Sequence, residues 1–178
     1  MTSTVLSIGS NLGDRLTRLQ SVLDGLGPAV RAVSAVYETA AWGFEEQGPF
    51  LNAVLLADDP DLDGHGWLRR AQELEAAAGR VRGQRWGPRT LDVDLITCHD
   101  GADEIISRDE GLTLPHPLAH LRAFVLIPWL DVDPDATLTV AGESRPVQRL
   151  LSEIDQSERD GVTRTDLVLD IRTETAAG

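Results

Sequence analysis

The chain has no lysine: all sixteen cationic side chains among its 178 residues are arginine. This excludes every mechanism that needs a lysine amine, Schiff-base and pyridoxal-phosphate chemistry among them. It equally excludes the Walker phosphate loop and the protein-kinase scaffold, each of which sets a lysine on the phosphates. The single cysteine, Cys98, has no partner for an internal disulfide or a Cys-x-x-Cys site. It reads as small apolar filler at a strand end. No apolar run approaches the roughly 18 residues of a membrane helix. Met1-Thr-Ser-Thr-Val lacks the basic-then-apolar pattern of a leader, so a cytoplasmic location is the expectation. The net charge of −13 repels polyanions and argues against nucleic acid or an anionic membrane as partner. Aromatic residues are few (three Phe, one Tyr, four Trp), so most should be packed.

What remains is enough for one globular unit: 42% hydrophobic residues, no repeats and no low-complexity segment. Thr4–Ile8 reads as a strand, Gly9-Ser10-Asn11 as a turn with capping residues, and Leu12–Leu26 as a helix closed by Gly27-Pro28. Residues 29–39 read as one long strand, 40–49 as a loop, and Phe50–Ala57 as another strand. Trp67, Leu68, Ala71, Leu74 and Ala78 mark a helix ending at Gly79. After a loop over 80–89, Thr90–Thr97 reads as a strand that turns at Asp100-Gly101 into 104–107. Residues 108–116 read as loop, and Leu118–Leu130 as partly helical with a break or kink at Pro128. A strand over Thr137–Val140, a helix over Val147–Ile154, a strand over Asp166–Ile171 and a frayed end follow. The leading β-α-β-β-α-β order predicts a ferredoxin-like α+β fold, a mostly antiparallel sheet flanked by helices.

One stretch stands out against the acidic background. Arg80, Arg82, Arg85 and Arg89 fall within ten residues, and Asp92 and Asp94 follow at once. On a strand, residues two apart share a face, ~6.6 Å apart along it, so both carboxylates project together while Leu91, Val93 and Leu95 fill the other side. Guanidinium groups pair bidentately with phosphate, and Mg²⁺ takes carboxylate and phosphate oxygens. The simplest account is a polyphosphate gripped by the arginines and by Mg²⁺ on the aspartates. The plainer readings are a solvated strand face for the aspartates and surface ion pairs for the arginines. His116, set between two prolines, fits either a metal site with His120 and the aspartates or a hydrogen bond to phosphate. His65 and His99 read as surface residues. Phe50, Asn52 and Phe124 fit the core; Trp42 and Trp86 sit in loops.

Arg85-Trp86-Gly87-Pro88-Arg89-Thr90-Leu91-Asp92-Val93-Asp94-Leu95-Ile96 closely resembles the signature of the 6-hydroxymethyl-7,8-dihydropterin pyrophosphokinases of folate biosynthesis. Ile8–Asp14, Phe50-Leu51-Asn52-Ala53 and Leu114-Pro115-His116-Pro117 match in the same order, so the resemblance spans about 3–155. It divides the chain into a pyrophosphokinase unit, 1–155, and an extension, 156–178, with an added strand and a frayed tail. The resemblance implies transfer of pyrophosphate from ATP to the pterin hydroxymethyl group, releasing AMP. It implies two Mg²⁺ ions on Asp92 and Asp94, and Arg80 and Arg89 acting with them in catalysis. Gln72, Glu75, Arg82, Arg85, Trp86, Leu95, His116 and Arg122 would contact ATP. Phe50 and Phe124 would sandwich the pterin, Asn52 would bond its amide edge, and the backbone around Thr39 and Trp42 would help. Phe50 stands where the family often has Tyr, so stacking survives without the hydroxyl. A monomer is expected. Two rivals are another Mg²⁺-dependent phosphoryl or nucleotidyl transferase, and a ferredoxin-like module that merely binds an anionic metabolite.

Overall fold

In the computed structural model, residues 2–11, 13–39, 49–79 and 91–171 are described. The chain begins with β1 (Thr2–Ser10), α1 (Arg15–Leu26), β2 (Val30–Val33), β3 (Tyr37–Thr39), β4 (Phe50–Asp59) and α2 (Gly64–Ala77). It continues through β5 (Asp92–Asp100), β6 (Asp103–Glu104), β7 (Ser107–Arg108) and β8 (Thr113–Leu114). Then come α3 (Ala123–Val132), β9 (Thr137–Val140), β10 (Glu143–Pro146), α4 (Val147–Ser152), α5 (Gln156–Asp160) and β11 (Val162–Arg164). Among these residues no helix is long and apolar enough to cross a membrane.

The main sheet runs β11-β3-β4-β1-β5-β6, with β2 also on β4. Every pairing is antiparallel. With α1 between β1 and β2 and α2 between β4 and β5, the first half is the expected ferredoxin-like plan. Period-2 alternation sorts the side chains. Leu6 and Ile8 of β1, Leu51, Ala53 and Leu55 of β4, and Val93 and Leu95 of β5 face α1 and α2. There they meet Leu19, Val22 and Leu23 of α1 and Trp67, Ala71 and Leu74 of α2. Val54 and Ile96 face the opposite way, into a second cluster with Val125, Leu126 and Trp129 of α3, Leu138 of β9 and Leu150 of α4. Each face carries a core, and the site lies at one end of the α3 face.

Several boundaries differ from the expectations. Gly9 and Ser10 are no turn; they complete β1, Gly9 paired with both β4 and β5 and Ser10 with β4. The helix N-cap is Asp14, whose Oδ1 accepts the Thr17 N–H at 3.2 Å. The single strand expected over 29–39 is broken at Ser34, whose hydroxyl accepts the Val54 N–H at 3.0 Å in place of a strand carbonyl. Beside it, Ala35 N–H donates to Asp131 Oδ2 at 2.8 Å. β5 carries a bulge: Leu6 pairs with Leu95 but Val5 with Thr97, which leaves Ile96 as the extra residue facing α3. The loop expected over 108–116 contains the β7–β8 pair. α3 runs through Pro128, which has no N–H to give the Phe124 carbonyl. In the tail the strand lies at Val162–Arg164; 166–171 is not one. Cys98 is wholly buried in β5, and burial raises its thiol from 9.0 to about 11, so it is the inert filler expected.

Candidate active site

Three adjacent strands build the floor. Asn52 of β4, Gly9 of β1 and Asp92 of β5 are direct cross-strand partners in one row. Ser7 is opposite Val54 and Asp94, and Thr39 of β3 opposite Phe50. Residues paired across a ladder share a face, so Thr39, Phe50, Asn52, Gly9, Asp92 and Asp94 all look toward α3. Leu91, Val93 and Leu95 are buried on the other side, and both aspartates are left half-buried. Two carboxylates on a half-open sheet face are a hard oxygen donor set of the kind Mg²⁺ accepts from protein, its remaining positions being met by phosphate and water. Among the described residues no cluster of three or more His, Cys, Asp or Glu side chains could hold a metal alone. His116, His120, Asp92 and Asp94 are thus not gathered into such a cluster.

Gly9 is the hinge of this floor. A Cβ there would stand 2.8 Å from Asn52 Oδ1, 3.6 Å from the Leu51 carbonyl and 3.7 Å from Phe50 Cδ1. Glycine within a paired strand thus marks a close approach, here of the Asn52 amide across β1. Asn52 is buried, and its Nδ2 donates to Thr39 Oγ1 at 2.8 Å, which fixes the amide plane. Phe50 is half-buried beside it.

The wall comes from the segment leading into α3. His116 N–H donates to the Ile96 carbonyl at 2.8 Å, tying this segment to β5 just past the aspartates. His116 Nδ1 accepts the Leu118 N–H at 3.1 Å. That places the proton of the neutral ring on Nε2, a donor for an incoming anion. Burial, then the charge of nearby Arg122, lowers the ring from 6.5 to about 4. Because the folded value is below the unfolded one, this contribution to stability is complete above pH 6.5 and is lost as pH falls toward 4. An NMR titration of the unliganded protein should put the His116 midpoint near 4; a midpoint near 6.5 would contradict this burial. The Arg122 guanidinium lies 5.6 Å from the centroid of Phe124, a cation–π contact that orients both.

On the far side of β5, β6 pairs only with His99 and Asp100, and among the described residues no strand pairs with 92–98 on that edge. Glu75 of α2 compensates in part. Buried to 4% exposure, its Oε2 accepts the Val93 N–H, between the two aspartates, at 3.0 Å. Gln72 sits half-buried one turn earlier.

The floor thus carries a buried amide, the half-buried Phe50 ring and a carboxylate pair, and the segment entering α3 carries the half-buried Phe124. The family model described as 7,8-dihydro-6-hydroxymethylpterin-pyrophosphokinase (HPPK) matches residues 5–134. The chain belongs to the HPPK family. It is 65% identical over 167 residues to the 2-amino-4-hydroxy-6-hydroxymethyldihydropteridine pyrophosphokinase of Mycobacterium tuberculosis, covering 91% of this chain and 89% of that one. With the Mycobacterium leprae enzyme of the same name it shares 61% over 183 residues, covering 99% and 96%. A Plasmodium falciparum HPPK-DHPS crystal structure with pterin and p-hydroxybenzoate shares the fold, with a TM-score of 0.64 at 13% identity. This chain is covered to 96% but spans only 48% of that one.

Of the residues the HPPK resemblance singles out, the structure brings together Thr39, Phe50, Asn52, Asp92 and Asp94 on the floor, with His116, Arg122 and Phe124 on the segment entering α3. Gln72 and Glu75 approach β5 from the opposite face. The Leu95 side chain is buried in the α1/α2 core, so only its backbone borders the site. Arg80, Arg82, Arg85, Trp86, Arg89 and Trp42 lie outside the described residues. Gly9 went unassigned at the sequence level, because Gly-Ser-Asn has turn composition. The one local signal was the Leu6–Ile8 alternation that runs up to it in β1.

Proposed function

We propose that this HPPK-family chain transfers pyrophosphate from ATP to 6-hydroxymethyl-7,8-dihydropterin, in folate biosynthesis, at the end of the sheet where Asn52, Asp92 and Asp94 meet. The observation that carries the reading is the single row Asn52–Gly9–Asp92, which sets an amide-recognising side chain and a carboxylate in register across three strands. Phe50 and Phe124 hold the pterin ring between them. Asn52 offers a donor and an acceptor to its amide edge, held by Thr39, with Trp42 beside it. The pterin oxygen attacks the β-phosphorus; the new O–Pβ bond forms as the bond to the α-phosphate bridging oxygen breaks, and AMP departs while the hydroxymethyl proton is released. Such a transfer is helped mainly by positioning and charge neutralisation.

Asp92 and Asp94 are the residues to hold Mg²⁺, two ions in this reading. Held by these carboxylates, Mg²⁺ would supply positive charge against the phosphates. Arg80 and Arg89 supply permanent positive charge where it builds up on the phosphates, and Arg82, Arg85 and Trp86 complete the grip on ATP. His116 donates from Nε2, Arg122 adds charge, and Gln72, Glu75 and the Leu95 backbone border the nucleotide. Residues 1–155 make up this unit and 156–178 an extension. We read the protein as a cytoplasmic monomer, and its acidic charge disfavours nucleic acid or an anionic membrane as partner. Turnover of ATP with the pterin alcohol should vanish in EDTA and return with added Mg²⁺. Undiminished turnover in EDTA would overturn the metal assignment.

A further inference from the structure

We infer that the C-terminal segment 162–171 is a strap that positions the pterin-binding floor, with β11 as its working part and Arg164 as its anchor; this rests on the placement of pterin at Asn52 above. The segment lies beyond residues 5–134 matched by the family model, yet within the Mycobacterium leprae match, which covers 99% of the chain. β3 is only three residues long, and on one side it pairs with β4. On the other side β11 closes what would be a bare edge, pairing Val162 with Thr39, Thr163 with Glu38 and Arg164 with Tyr37. The ties continue past the strand. Thr165 gives both its N–H, at 3.0 Å, and its hydroxyl, at 2.7 Å, to the Val36 carbonyl. Leu169 is buried with the α1 side chains, and Asp170 exchanges two hydrogen bonds with Gln20 of α1, at 2.9 and 2.8 Å.

Asp131 of α3 adds a second clamp. It takes the Ala35 N–H at 2.8 Å and lies 3.5 Å from Arg164. The Tyr37 hydroxyl joins the same two side chains, and its pKa is raised above 10.0 first by burial and then by Asp131. β3 is therefore held between the strap and α3. Its last residue, Thr39, is the one that fixes the Asn52 amide. Val162 of the strap pairs with that same Thr39, so strap, Thr39 and Asn52 form one continuous line into the floor.

A positioning role of this kind moves pterin binding and leaves the nucleotide side alone. Thr163→Pro puts a residue that cannot donate into the middle of β11 while keeping Leu169 and the Gln20 contacts. Arg164→Ala loosens only the Asp131 end and leaves the ladder in place. Steady-state kinetics on the full chain should show the pterin KM raised about tenfold by Thr163→Pro, the size of one imperfectly held polar partner. Arg164→Ala should raise it by a smaller factor. The ATP KM, and kcat at saturating pterin, should stay within about twofold in both. A pterin KM unchanged in both variants would overturn the strap, as would parallel rises in both KM values. Should Thr163→Pro not melt cooperatively, Arg164→Ala alone decides. Asn52→Ala separates the two levels of the argument. If it leaves the pterin KM unchanged, the pterin placement itself is wrong. If it raises that KM while the strap variants do not, only the strap falls.

Discussion

Asp92→Asn is expected to lower kcat by roughly 10²–10³-fold, the range seen when one group stabilising transition-state charge is removed. The substitution keeps the shape of the side chain and removes only its charge. Asp92 is half-buried on an otherwise well-packed strand, with Leu91 and Val93 filling the core beneath it. The fold should therefore persist, and the melting temperature should shift by only a few degrees. Asp94→Asn should behave alike, because the strand period puts both carboxylates toward the same phosphates. The expected loss distinguishes a catalyst from a module that merely grips an anionic metabolite with arginines. In such a module, removing a nearby negative charge would leave anion binding intact or tighten it. Parallel measurements of kcat and of ATP affinity with Mg²⁺ check this: lost turnover fits the account, whereas unchanged turnover contradicts it.

Gly9→Ala should raise the pterin KM by about 10- to 100-fold, the cost of disturbing a buried, hydrogen-bonded amide. The added methyl would arrive 2.8 Å from Asn52 Oδ1, so something must move. Asn52 is the mobile partner in principle, but its other amide atom is held by Thr39 at 2.8 Å and the residue is buried at 4% exposure. Any shift lengthens that bond and tilts the edge meant for the pterin. Phe50, 3.7 Å from the same point, blocks retreat in one direction. The fold should weaken by about 1–3 kcal/mol, as for other overpacked sites. ATP affinity should change less, because the added methyl meets Asn52, Leu51 and Phe50 and none of the residues assigned to ATP. Isothermal titration with pterin and a non-hydrolysable ATP analogue checks this, and an unaltered pterin affinity would contradict the role given to the Asn52 amide.

The parts of the fold that were legible depended on strong periodicity. Leu19, Val22, Leu23 and Leu26 announced α1, and Trp67, Ala71 and Leu74 announced α2, because a helix that buries one stripe must repeat near 3.6 residues. The shared face of Asp92 and Asp94 followed from the flanking Leu91, Val93 and Leu95. What escaped depended on partners far away in the chain. The bulge at Ile96 leaves no trace in Ile-Thr-Cys, all residues at home in a strand. Ser34 interrupts a β-branched run because its hydroxyl replaces a carbonyl opposite Val54, which no local pattern encodes. The apolar Leu167-Val168-Leu169 run read as a strand, yet the strand formed upstream in the polar Val162-Thr163-Arg164. There the open edge of β3 set the register, and Leu169 instead found the α1 core. Gly9 shows the same limit, since its neighbours have turn composition while its two flanking strands extend β1 through it.

The central claim is that this sheet end moves a two-phosphate unit. Incubating the protein with ATP, Mg²⁺ and 6-hydroxymethyl-7,8-dihydropterin and identifying the nucleotide product tests it most directly. The account predicts AMP, in one-to-one ratio with the pterin diphosphate and absent when the pterin is left out. ADP paired with a pterin monophosphate would contradict it and make the chain a simple phosphoryl transferase.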